Sequence, residues 1–224
     1  MTTRPGNAVT ARPKVARSIL SGAVVAVALS PNWGCSLADG EGAVTSNSLY
    51  VAECWNGPFD LGPNFFAAVP YRRTLTIRVQ KGGDLEEVSD GMTVLIDDID
   101  AVRAKLDVPM KVGLPVGVTV PGVPLVTQTD PPLIHASIYL NRACHAQNSV
   151  LYSVGGSMTF HHVFNGDPNE TEATEKLTDA EFSDMQVADP RDSPPGTLAP
   201  RHVSIVSGFF RFYFERGQPG QPFP

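Results

Sequence analysis

Five histidines, three cysteines and one tight group of acids are the residues of this 224-residue chain whose types could do chemistry. The histidines are His135, His145, His161, His162 and His202. Zinc takes three or four ligands, often His with Cys or a carboxylate, and the runs "CHAQNS" (144–149) and "FHHVF" (160–164) hold such groups. His161 and His162 are adjacent in an extended segment, so they face opposite sides and cannot both reach one metal without a bulge. No H-E-x-x-H and no C-x-x-C is present. Scattered histidines and no metal site are expected. Asp97, Asp98 and Asp100 in "DDID" look like part of a calcium loop, but counting from Asp98 the sixth and twelfth places hold Arg103 and Pro109 instead of Gly and Glu. Helix capping explains these acids more simply. A less regular calcium site in the acidic stretch 165–192 stays open.

Nucleophile and nucleotide motifs are missing as well. There is no G-x-S-x-G, and "GGSM" at Gly155–Met158 reads as a bend between strands, not a strand-to-helix elbow. Neither G-x-x-x-x-G-K-[ST] nor G-x-G-x-x-G occurs, so no nucleotide cofactor is expected. No catalytic residue is assigned. The triplet "NET" at Asn169 matches a glycosylation acceptor.

The elements that must position these groups are short strands. Gly and Pro make up 40 of the 224 residues, an excess that favours turns over long helices. "SLYVAECWNGPFDLGP" reads as a short strand ending at Asn56-Gly57-Pro58. In "YRRTLTIRVQKGG" Leu75, Ile77 and Val79 share one side while Thr74, Thr76 and Arg78 share the other, a half-buried strand. "GMTVLIDDIDAVRAKL" is a strand followed by a helix capped at Asp97 or Asp98, with Ile99, Val102 and Leu106 on one face. Residues 108–126 repeat Pro and Gly and read as an extended crossover. "LIHASIYLN" is a strand, and "SVLYSVGGSMTFHHVF" is two. Residues 165–192, with nine acids and two bases, read as a solvated loop holding a strand near Phe182 to Val187. In "RHVSIVSGFFRFYFERG" Val206, Phe210, Phe212 and Phe214 share a parity and form the core strand. A mainly β fold follows: an antiparallel β-sandwich or open barrel with one short helix.

Charge divides the chain. Residues 1–34 hold Arg4, Arg12, Lys14 and Arg17 and no acid; the other 13 of 17 bases face all 23 acids, leaving the body at −10. An acidic body with no basic patch argues against a nucleic-acid partner. Ser18–Ser30 is an uncharged run of 13 residues, about 20 Å as a helix and too short for a bilayer core of roughly 30 Å. A basic tip, a short apolar core and a small-residue exit make a secretory signal. Two exits compete, Ala26-Val27-Ala28 and Gly34-Cys35. The second is similar to the end of a bacterial lipobox, although Asn32 and Trp33 depart from it. Oxidising compartments pair thiols, and three cysteines leave one over. Lipidation of Cys35 would account for it and leave Cys54 and Cys144 to bridge; the alternative is two separate buried thiols. The organisation expected is a signal peptide over 1–34, a flexible tether over 35–48 and a single β-rich domain over 49–224.

The leader, Gly34-Cys35, the two later cysteines and the Phe/Tyr alternation at the end resemble the predicted lipoproteins of Gram-negative bacteria, a group that implies an envelope location and no defined activity. The partners to expect are the membrane, through a lipid on Cys35, and an envelope protein or glycan. The leading expectation is a lipid-anchored envelope protein of structural, adhesive or binding role. The rivals are plain secretion, a hydrolase with a dispersed active site, and a carbohydrate- or calcium-binding module. Exposed aromatics on a flat face would mark the carbohydrate module, with Trp55 and Tyr71 as candidates.

Overall fold

Apolar–polar alternation punctuated by turn-formers produces eleven strands among the residues that the computed structural model describes, which are 40–83, 86–115, 131–145, 149–192 and 202–216. In chain order they are β1 (Gly40–Val51), β2 (Trp55–Leu61), β3 (Phe65–Tyr71), β4 (Thr74–Lys81), β5 (Asp90–Ile96), β6 (Met110–Lys111), β7 (Ile134–Leu140), β8 (Val150–Gly155), β9 (Ser157–His162), β10 (Leu177–Ala188) and β11 (Ser204–Tyr213). Two short helices interrupt them, α1 (Ile99–Arg103) and α2 (Ala173–Lys176). The strands form one antiparallel sheet that does not close, in the order β2-β1-β11-β10-β8-β7-β5-β4-β3. β9 carries on from β8 along the same edge of β10 and receives β6 on its other side. The sheet folds over on itself: Phe66 of β3 stacks on Phe212 of β11 with ring centroids 5.7 Å apart. This is the mainly β, sandwich-like open barrel that the alternation implies.

The inward parity of β11 behaves as read. Val206, Phe210 and Phe212 are buried in the main hydrophobic cluster, together with Phe66, Phe160 and Phe164. Phe214 lies beyond the strand, half-buried and stacked on Phe164 at 4.1 Å. The cap of α1 is also as read: Asp98 accepts a hydrogen bond from the Ala101 N–H (3.1 Å), and Ile99 and Val102 are buried.

Four features differ from expectation. The tether expected over 35–48 is strand from Gly40 onward, because Val44 and Leu49 have core to enter and β1 pairs with β11 and β2. Asn56-Gly57-Pro58 lies inside β2, not at a strand end. β2 is an edge strand, and β1 bulges between Ser46 and Leu49 opposite Pro58, so the missing N–H breaks no ladder that must form. β3 was not expected at all; its run Phe65–Ala68 is buried on both faces and shows no alternation. Finally, Arg78 and Gln80 do not face solvent. Arg78 pairs with Glu86, and Gln80 accepts from the Tyr139 hydroxyl (2.9 Å), so the second face of β4 is covered too.

A polar knot closes one end of the fold. Cys54 and Cys144 are joined by a disulfide, Cα–Cα 5.9 Å, across 90 residues. Beside it the fully buried carboxylate of Asp189 accepts from the N–H of Ala52 (2.9 Å), the N–H of Arg191 (2.9 Å) and the Arg191 guanidinium (2.7 and 3.0 Å). Burial alone would raise its pKa, but Arg191 and the two backbone donors outweigh burial and hold it below the ordinary carboxylate value.

Two outcomes follow for stability. Phe212→Ala should cost about 3–5 kcal/mol and lower the melting temperature clearly, whereas Arg211→Ala, on the outward parity, should stay within about 0.5 kcal/mol. An unshifted Phe212→Ala curve would place that ring outside the core. Because the folded pKa of Asp189 is depressed, its contribution is present above the unfolded value of roughly 3.9 and is lost as pH falls through the lower folded value. Asp189→Asn should therefore destabilise at neutral pH by about 1–3 kcal/mol and flatten the acid limb of the stability–pH curve, as read by denaturant titration at a series of pH values.

Candidate functional site

The structure disperses the chemistry-bearing residues of the sequence. Cys35 and the signal segment lie outside the described residues. Among the described residues no group of three or more His, Cys, Asp or Glu side chains comes together as a metal site. His145 and His162 are exposed. His202 is stacked on Tyr50, centroids 4.0 Å apart, and lies 3.0 Å from Asp192.

A Ser, a His and an Asp do approach one another, at Ser153, His135 and Asp97. His135 is buried, with Nδ1 2.8 Å from the carbonyl of Gly113 and Nε2 3.0 Å from Asp97 Oδ2. The Ser153 hydroxyl donates to the same Gly113 carbonyl (3.2 Å) and accepts from the Ala136 N–H (2.9 Å). Its proton is thus directed to a backbone carbonyl and not to the imidazole, so the trio fastens the residue-113 segment to β7 and β8 and has no nucleophile–base pair.

The feature with binding character is the outward face of β1, β11, β10 and β9. On β11 the residues opposite in parity to the core are Ile205, Ser207, Phe209, Arg211 and Tyr213. The solvated side of a two-sided antiparallel sheet is normally polar. Here Val203, Ile205, Phe209 and Tyr213 are 47%, 48%, 43% and 40% exposed. Register surrounds this row with short polar and acidic side chains. Ala43 and Glu181 flank Phe209, Glu41 and Asp179 flank Arg211, and Thr45 lies opposite Ser207 with Asp60 beyond it.

Two shallow concavities border the row. One, of about 510 Å³, is lined by Pro109, Ser157, Thr159, Glu181, Ser183 and Phe209. The other, of about 350 Å³, is lined by Thr45, Ser46, Asn47, Ser48, Val203 and Ile205. His161 stands at the rim of the first, its Nδ1 2.6 Å from Asp107 and its Nε2 3.8 Å from Glu181. The hydrogen bond to Asp107 raises its pKa; partial burial opposes this, and the charges of Asp179 and Glu181 add to the rise.

Of the aromatics considered for a flat binding face, Trp55 is half-buried and packs on the core, while Tyr71 is 65% exposed and ends β3, beside Arg72 at the β3–β4 turn. Phe209 and Tyr213 occupy the flat face instead. The signal for them was present: "FFRFYF" is apolar at both parities, and only one parity can enter the core.

A raised folded pKa means the His161–Asp107 pair contributes below the unfolded value of 6.5 and fades as pH rises through the folded value. An NMR titration of His161 should show a midpoint above 6.5, and Asp107→Asn should move it down. A midpoint indifferent to Asp107→Asn would remove Asp107 as the cause.

No protein-family model matches the chain, and no match is found among curated proteins or among solved structures.

Proposed function

We propose that the protein is a lipid-anchored binding module of the cell envelope, held to the membrane through Cys35 and engaging its partner through the outward face of β1, β11, β10 and β9. The observation that carries the reading is the row Val203, Ile205, Phe209 and Tyr213, four large apolar side chains left in solvent, three on a strand whose other parity already fills the core and one just before it. Apolar surface gathered in this way marks an interaction site more often than an accident of folding. The anchor rests on the basic tip, the uncharged run and Gly34-Cys35. The disulfide suits an oxidising compartment. The hydrolase alternative gains nothing from Ser153, His135 and Asp97, whose contacts are spent on backbone and on one another.

The test has two arms. Expressed in a Gram-negative host, the wild-type chain should fractionate with membranes and begin at a lipid-modified Cys35 by intact mass, and Cys35→Ser should release it. Membrane partition of Cys35→Ser would overturn the anchor. In the released protein, Phe209→Ser with Tyr213→Ser should leave the melting temperature almost unchanged but abolish retention on isolated envelope fragments. Undiminished retention of the double variant would overturn the binding face.

A further inference from the structure

We propose that the cleft beside Phe209 is a saccharide subsite, and that the ligand of the outward face is a neutral oligosaccharide lying along β11; this rests on reading that face as the binding surface.

The chemistry of the cleft selects the ligand. Its wall includes the exposed Phe209, and the Gly208 backbone beside it forms part of the floor. An aromatic face accepts the C–H face of a pyranose and offers nothing to a ligand that is polar all round. The rim carries groups that pair with hydroxyls. Glu181 is mostly exposed, and among the described residues its charged neighbour at salt-bridge distance is His161 at 3.8 Å. Thr159 is the cross-strand neighbour of Glu181. The Ser157 hydroxyl donates to Asp184 (3.0 Å), which leaves its oxygen free to accept. A volume of about 510 Å³ is within the range of small-molecule sites.

The second concavity extends the same chemistry. Thr45, Ser46, Asn47 and Ser48 bring hydroxyl and amide groups to the other side of the β11 row, next to Ile205. Ser207, which also lines the second concavity, and Phe209 of the first are two residues apart, about 6.6 Å along the strand, so a short linear chain of sugars can touch both concavities.

Charge excludes the acidic alternatives. Glu41, Asp60, Asp179 and Glu181 face outward around the row, and Arg211 is the arginine or lysine on it, already 3.8 Å from Asp179. A uronic acid or a phosphate would meet carboxylates. An extended peptide would find no free strand edge here, because β11 and β10 are paired on both sides.

The experiment titrates the full-length Cys35→Ser protein with chitotetraose, cellotetraose, maltotetraose, tetragalacturonate and a lysine-rich tetrapeptide, followed by NMR and calorimetry. At least one neutral tetrasaccharide should bind and shift the amides of Thr159, Glu181 and Phe209. Phe209→Ala should weaken it at least tenfold, Glu181→Gln severalfold, and Tyr71→Ala not at all; the melting curve of each variant checks that it is folded. Tetragalacturonate should bind at least tenfold more weakly than the best neutral sugar. The proposal is overturned if no neutral tetrasaccharide shifts those amides at millimolar concentration, if binding survives Phe209→Ala, or if only the peptide titrates. Envelope retention that still depends on Phe209 and Tyr213 would, in those cases, leave the binding face standing with another occupant. Loss of both would remove the face as well.

Discussion

The left-handed backbone at Gly156 is the constraint on which the arrangement of the whole sheet depends. Its φ is +97°, and a Cβ there would lie 2.4 Å from the carbonyl oxygen of Asp184. Only glycine fits. The chain can therefore bend without leaving β10, and a single edge of one long strand holds β8 along one part and β9 along the other. The line through β8 goes on to β7, β5, β4 and β3, whereas the line through β9 ends at β6. β10 bulges between Phe182 and Met185 at the same level, and Asp184 accepts from both the N–H (3.1 Å) and the hydroxyl (3.0 Å) of Ser157, which pins the bend in place. From that divergence the two ends of the sheet come to lie over each other, Phe66 upon Phe212, and the outward face of β11 is left uncovered.

Close approach of backbones is the second recurring device. At Gly208 a Cβ would meet the Ala43 carbonyl at 2.1 Å and the Phe182 ring at 2.8 Å, so β1 and β11 approach as closely as they do because that position has no side chain. Gly91 does the same for Tyr139, its cross-strand partner, whose ring lies over it and whose hydroxyl reaches Gln80. Burial pushes the Tyr139 phenol above its ordinary pKa, which keeps it a neutral donor inside the covered second face of the sheet.

Much of this was legible in the residues. Alternation in the sequence of β4 and β11 is a local pattern, and it identified Leu75, Ile77, Val79, Val206, Phe210 and Phe212 as core. The Asp98 cap is local too. Legibility failed where burial depends on partners distant in sequence. β3 and the end of β4 are covered on both faces, so their residues do not alternate. β1 is polar and small because its neighbours β11 and β2 supply the apolar bulk around Val44 and Leu49. Phe209 was hidden by an assumption more than by a missing signal: a strand with aromatics at both parities has more apolar surface than one core can take. The Asp189 knot joins residues 52 and 189, a separation that no short-range pattern carries.

The main path of this open sheet ends in β2 and β3, and each is a template onto which another chain's strand could add. β2 carries Pro58 within it, with a bulge on its partner, and exposes Asp60. β3 ends in Pro70 and Tyr71 at its turn. A strand joining β2 would meet a position without a donor and a carboxylate beside it, so edge-to-edge growth stalls after one molecule. At high local concentration this is protection against head-to-tail fibres. It keeps the copies discrete.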